Sequence, residues 1–119
     1  MPVRSLRSSV LRWPDRGQVG RAVRDWARQV AGRDPGVLMI GYFGSYARED
    51  WGVGSDVDLV VVVEESSGPF ERRAIDFDCT GLPVPADLFV YTAEEWESMR
   101  TRQGLPRMAE REIVWVHGR

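Results

Sequence analysis

With 119 residues and a net charge of −2, the chain is long enough for one domain with a modest core, and it lacks the broad positive surface of a duplex-DNA-binding protein. All 16 basic residues are arginines, which excludes a P-loop, because that motif requires a lysine after its second glycine. The sequence contains neither an apolar stretch long enough to span a membrane nor an apolar secretory signal, so a cytoplasmic protein is expected.

Charge is distributed unevenly along the chain. Residues 1–34 carry eight arginines against three aspartates, whereas residues 35–119 carry eight arginines against fifteen acidic residues. We predict a basic N-terminal segment over residues 1–16 and a single folded domain over residues 17–119. The basic segment could meet an acidic partner or RNA, although a solvated basic tail is the favoured interpretation for residues 1–13. The acidic remainder suits a cation-binding site.

The first predicted elements are a helix and a buried strand. Apolar residues recur at three- and four-residue spacing from Gln18 to Ala31, which predicts an amphipathic helix. The apolar run from Val37 to Phe43 predicts a buried strand that ends in a tight turn at Gly44. A short helix starting near Ser45 would point free backbone N–H groups at a bound phosphate.

Two aspartates open the next predicted strand. Asp56 and Asp58 lie two residues apart on a run that continues to about Val63, so their side chains leave the same face, about 7 Å apart. Converging carboxylates are costly unless a cation neutralises them, and hard divalent cations with phosphate ligands are the usual solution. The spacing from Gly44 and Ser45 to this pair therefore indicates metal-assisted transfer at a nucleotide phosphate.

The rest of the chain predicts further short elements. Phe70 to about Cys79 indicates a short helix, and Val84 to Tyr91 alternates as a strand with Asp87 on one face. Thr92 and Glu95 have the spacing of a capping box that opens a helix to about Gln103. Arg111 to His117 predicts a final strand.

These motifs resemble the nucleotidyltransferase superfamily with the DNA polymerase beta-like fold, and within it the minimal nucleotidyltransferases. The resemblance extends from about Val37 to Thr92, and the matching positions are Gly44, Ser45, Ala47, Arg48, Ser55, Asp56, Asp58 and Leu59. Asp87 lies where the family has its third acidic residue. The resemblance implies an α/β (α+β) fold with a small mixed sheet flanked by helices.

The resemblance also implies a Mg-dependent enzyme that moves a nucleoside monophosphate, typically AMP from ATP, onto a hydroxyl. Two Mg²⁺ ions would be held by the catalytic residues Asp56, Asp58 and Asp87. The triphosphate would be bound by Gly44, Ser45 and Arg48. Standalone members of the family often act with a separate helical partner of the HEPN type, and some are antitoxins that adenylylate a tyrosine of a toxin.

Other interpretations remain open at this point. Asp-x-Asp pairs also occur in dehalogenase-type phosphatases, which usually carry threonine where this chain has Val60, and in glycosyltransferases, which generally need a longer chain. The aspartates could also simply cap the end of a strand. A protein of the same fold could be a catalytically silent binding antitoxin or scaffold, or a small-molecule adenylyltransferase whose pocket a partner completes. The only cysteine, Cys79, is expected to be a core or partly buried thiol.

Overall fold

A four-stranded mixed sheet forms the centre of the protein. The computed structural model describes residues 16–44, 56–66, 68–100 and 113–118. The elements are α1 (Arg16–Arg33), β1 (Val37–Phe43), β2 (Val57–Val63), a 3-10 helix (Phe70–Asp76), β3 (Ala86–Thr92), α2 (Ala93–Arg100) and β4 (Val114–His117). The strand order is β3-β2-β1-β4, in which β2 and β3 are parallel and the other pairs are antiparallel. The predicted α+β fold with a mixed sheet is therefore confirmed.

Several predicted elements have shifted ends. β3 begins at Ala86 rather than Val84 because Pro85 has no backbone N–H to donate to the ladder. The Pro85 carbonyl nevertheless accepts a hydrogen bond from the Val57 N–H at 2.9 Å. The helix predicted from Phe70 is a 3-10 helix that ends at Asp76, since the next residue is extended.

Other predictions fall partly or wholly outside the described residues. These are the basic segment before α1, the short helix near Ser45, the end of the helix that follows Thr92, and the first residues of the last strand. None of the described helices combines the length and the apolar character needed to cross a membrane.

Both faces of the sheet are covered by apolar side chains. Because β2 is an inner strand, it is buried on both sides, which explains its nearly continuous valine run. Alternate residues of β2 pack on the amphipathic stripe of α1, and that stripe consists of Val19, Val23, Trp26, Ala27 and Val30. The intervening Val60 and Val62 pack with Trp96 of α2 and with Ile113. Burying each such large side chain contributes about 1.5–3 kcal/mol.

A buried arginine joins three elements at the end of the sheet where β2 and β3 finish. Arg73, only 9% exposed, donates to the Glu95 carboxylate at 2.5 and 3.1 Å and to the carbonyl oxygens of Gly68 and Val90. Glu95 also accepts a bond from the Thr92 N–H at 2.9 Å, and Thr92 Oγ1 accepts one from the Glu95 N–H at 3.1 Å, which confirms the predicted capping box. The hydrogen bonds from Arg73 are the main reason that the pKa of Glu95 falls to about 2.

Replacing Glu95 tests this ion pair. Glu95→Gln removes the negative charge that pairs with the buried guanidinium, so we expect the free energy of unfolding near neutral pH to fall by about 2 kcal/mol. The folded-state pKa is depressed, so the carboxylate stabilises the protein fully above its ordinary value of 4.5, and this contribution is lost as the pH falls toward about 2. The difference between wild type and variant should therefore narrow over that interval in denaturant titrations.

Glu97→Gln is the matched control. Glu97 lies on the same helix, but its side chain is 65% exposed and it pairs with Arg100 on the surface at 3.0 Å. We expect its replacement to change the free energy of unfolding by less than about 0.5 kcal/mol. A stability difference for Glu95→Gln that stays constant from neutral pH down to about 2 would contradict the assigned role of the carboxylate.

Candidate active site

Two of the predicted catalytic carboxylates are brought together by strand pairing. Asp58 in β2 is the register partner of Asp87 in the parallel strand β3, and on its other side it is opposite Phe43 of β1. Residues that pair across neighbouring strands lie about 4.8 Å apart and project from the same face. Asp58 and Asp87 therefore stand side by side on the α2 face of the sheet. Asp58 is half-buried and Asp87 is exposed.

The third predicted carboxylate lies just before the strand. Asp56 is exposed and precedes β2, whose first residue, Val57, is held by the Pro85 carbonyl. Asp56 thus lies at the N-terminal end of β2, two residues before Asp58. Within the described ranges, no three acidic, histidine or cysteine side chains lie close enough together to form a ready-made metal site. The structure therefore provides a carboxylate pair, with Asp56 at its edge.

The turn after β1 lies against the Asp58 carboxylate. Gly44 has a φ of +81°, a conformation that glycine adopts readily and L side chains rarely do. A Cβ atom placed on Gly44 would overlap Oδ2 of Asp58. The absence of a side chain at this position therefore lets the backbone of the turn approach the Asp58 carboxylate closely. Ser45 and Arg48, the other predicted phosphate-binding residues, lie outside the described residues.

Two aromatic rings line the same face next to the carboxylates. Phe43 is in the same cross-strand row as Asp58, and Phe89 follows Asp87 by two residues on the same face. Their ring centroids are 5.9 Å apart. The alternation of β3 indicates that Phe89 shares a face with Asp87, but its contact with Phe43 depends on strand order and could not be found from the sequence.

Cys79 is partly buried, as expected. The thiol is half-buried, and it packs against the core on the α1 side of the sheet. Burial raises the pKa of Cys79, and the neighbouring Asp78 carboxylate raises it further. The thiol is therefore protonated at neutral pH and is a poor nucleophile.

Comparison with known proteins identifies the family. The sequence model of the nucleotidyltransferase domain matches residues 24–116, a span that includes β1, β2 and β3, all but the last residue of β4, and both Asp58 and Asp87. The chain belongs to the nucleotidyltransferase family. The pairing of Asp58 with Asp87 lies within the matched region.

A solved structure has the same fold. A candidate nucleotidyltransferase from Sulfolobus solfataricus, determined at 1.40 Å, superimposes with a TM-score of 0.60 and 19% sequence identity. The alignment covers 84% of this chain and 80% of that chain. No curated protein sequence matches this nucleotidyltransferase significantly.

Adding a side chain at Gly44 tests the packed turn of the nucleotidyltransferase. Gly44→Ala must hold a left-handed conformation and also displace the Asp58 carboxylate, unless the turn itself moves, so we expect a loss of about 1–2 kcal/mol in the free energy of unfolding. Gly81→Ala is the control, because Gly81 is exposed and a Cβ there meets no atom within 4 Å. Denaturant titrations of both variants make the comparison. Equal stability of the two would show that position 44 tolerates a side chain.

Proposed function

We propose that this nucleotidyltransferase transfers AMP from ATP to a hydroxyl acceptor in a Mg²⁺-dependent reaction. The observation that supports this most directly is the pairing of Asp58 with Asp87 beside the closely packed turn at Gly44. It places two neighbouring carboxylates directly against the turn that ends β1, and a divalent cation in nucleotide sites commonly takes one or two carboxylates together with substrate phosphates.

The residues present fit a hard divalent cation. Their donors are carboxylate oxygens, and Mg²⁺ in nucleotide sites commonly takes one or two carboxylates together with substrate phosphates. Asp56 and Asp58 would hold two Mg²⁺ ions, and Asp87 would share the one on the acceptor side. When bound, these ions would neutralise the phosphate oxygens of the substrate.

The chain's own groups would position the nucleotide and move one proton. Gly44 and Ser45 would bind the triphosphate through backbone N–H groups and a hydroxyl, and Arg48 would pair with its charge. The acceptor oxygen attacks the α-phosphorus, the bond from that phosphorus to the bridging oxygen breaks, and pyrophosphate leaves. The proton of the acceptor hydroxyl passes to a carboxylate oxygen of Asp87.

We further propose that the acceptor is a tyrosine of a separate, small helical protein of the HEPN type. Under this proposal the enzyme is an antitoxin that modifies its partner. This assignment rests on family analogy.

Metal-dependent nucleotide binding is the first test. Calorimetry with ATP should give measurable affinity in the presence of Mg²⁺ and far weaker affinity with EDTA, because the two anions repel each other without a cation. Asp58→Asn should remove most of the difference between the two conditions. Equal affinity with and without the metal would contradict the proposed site.

Transfer itself is the second test. Asp58→Asn and Asp87→Asn should each lower transfer of labelled AMP at least about a hundredfold, the scale seen when electrostatic stabilisation of a reacting group is removed. Asp76→Asn is the control, because Asp76 is an exposed carboxylate on the 3-10 helix, at the other end of the sheet. A wild-type protein that neutralises its partner without leaving AMP on it would instead be a binding antitoxin.

A further inference from the structure

Core packing alone does not explain the positions of the Phe43 and Phe89 rings. Both side chains are half-buried, and their rings meet at 5.9 Å with an interplanar angle of 43°. Phe43 packs against the cluster of Val60, Val62, Trp96 and Ile113 on the α2 face. Among the described residues, Phe89 packs on neither of the two buried clusters. Its partly exposed ring is instead placed next to the carboxylate row.

The register defines where this ring lies. Asp58 and Asp87 form one cross-strand row, and Val60 and Phe89 form the next row on the same face. Phe89 is therefore about 7 Å along β3 from Asp87. The position opposite Val60 in β1 is Gly41, which contributes no side chain to this row. The space beside Gly41 is filled by Ile113 and Trp115, and Phe89 is contacted from β1 by Phe43, whose ring reaches it across β2.

Two ligands could contact the Phe89 ring, namely the nucleotide and the acceptor, and they are assigned to opposite sides of the pair of Asp58 and Asp87. Gly44 approaches Asp58 from the β1 side of the row, whereas Asp87 and Phe89 belong to β3 on the other side. The triphosphate is assigned to the Gly44 side and the acceptor hydroxyl to Asp87. Phe89 is carried by the same strand as Asp87, two residues further on, so its ring is attached on the side assigned to the acceptor, and it meets the β1 side through its contact with Phe43.

We infer that Phe89, supported by Phe43, is a specificity residue that makes the enzyme favour a hydroxyl carried by an aromatic ring over an aliphatic hydroxyl. A phenol has an apolar body that can pack on the exposed ring and a polar tip that can reach toward Asp87. This inference rests on the proposed function for the identity of the acceptor side. It adds a physical reason why a tyrosine would be selected.

Binding of small probes tests the inference without requiring turnover. NMR titrations would use N-acetyl-tyrosinamide and N-acetyl-serinamide with the wild-type chain, Phe89→Leu and Phe89→Trp. An aromatic contact of this kind corresponds to roughly a fivefold change in affinity. Phe89→Leu should lose about that factor for the tyrosine probe, and Phe89→Trp should retain it. In the transfer assay, Phe89→Leu should raise KM for the tyrosine probe and leave kcat nearly unchanged.

Phe77→Leu separates specificity from packing. Phe77 is also half-buried, but it packs against the core on the α1 side. Equal loss of tyrosine-probe affinity in Phe77→Leu and Phe89→Leu would show a purely structural effect and overturn the inference. It would also be overturned if the tyrosine probe bound no better than the serine probe to wild type. Weaker binding of an ATP analogue alone would make the ring a nucleobase contact instead.

The two proposals can fail separately. Selective binding of the tyrosine probe with no AMP transfer to any acceptor would support the role of Phe89 and contradict the transferase function. Transfer of AMP to both probes without preference would support the transferase function and contradict the role of Phe89.

Discussion

The parallel pairing of β2 with β3 is the interaction on which the candidate site depends. Side chains alternate between the faces of a sheet, so a slip of one residue would move Asp87 to the α1 side, away from Asp58. Such a slip would also turn Val90, which is buried on the α1 side, toward α2, and Tyr91, which packs on the α2 side, toward α1. Hydrophobic burial on both faces therefore fixes the geometry of two charged groups that contribute little to the core themselves.

Polar contacts at both ends of the paired strands β2 and β3 reinforce this register. Near the carboxylates, the Val57 N–H is bound by the Pro85 carbonyl just before β3 begins. At the opposite end, Arg73 holds the Val90 carbonyl and the Glu95 carboxylate at the start of α2. Trp26 of α1 adds a third connection, since its indole N–H donates to the Asp78 carbonyl at 2.8 Å. The long crossover between two parallel strands is thereby attached to the sheet and to both helices.

Local patterns in the sequence were sufficient to locate the described helices and strands approximately and to give the faces on which Asp58 and Asp87 lie. The alternation around Asp58 and Asp87 places each of them correctly, because side-chain direction in a strand depends only on parity. Which strands are neighbours, and in which register, depends on packing between distant segments. For this reason the contact between Phe43 and Phe89 and the burial of Arg73 became visible only in the folded chain. The capping box at Thr92 was predictable, whereas the second partner of Glu95 was not.

The close approach of Gly44 to Asp58 also constrains how this protein can evolve. The volume that a side chain at position 44 would occupy is already filled by the carboxylate, so substitutions at the two positions are not independent. A descendant that lost catalysis but kept Asp58 would still be under selection to keep the glycine, simply to remain folded. Replacing the aspartate by a smaller residue would relieve the steric part of that restriction first. In an inactive relative, a substitution of Asp58 by a smaller residue would therefore have to precede a substitution of Gly44, and the reason is steric rather than chemical.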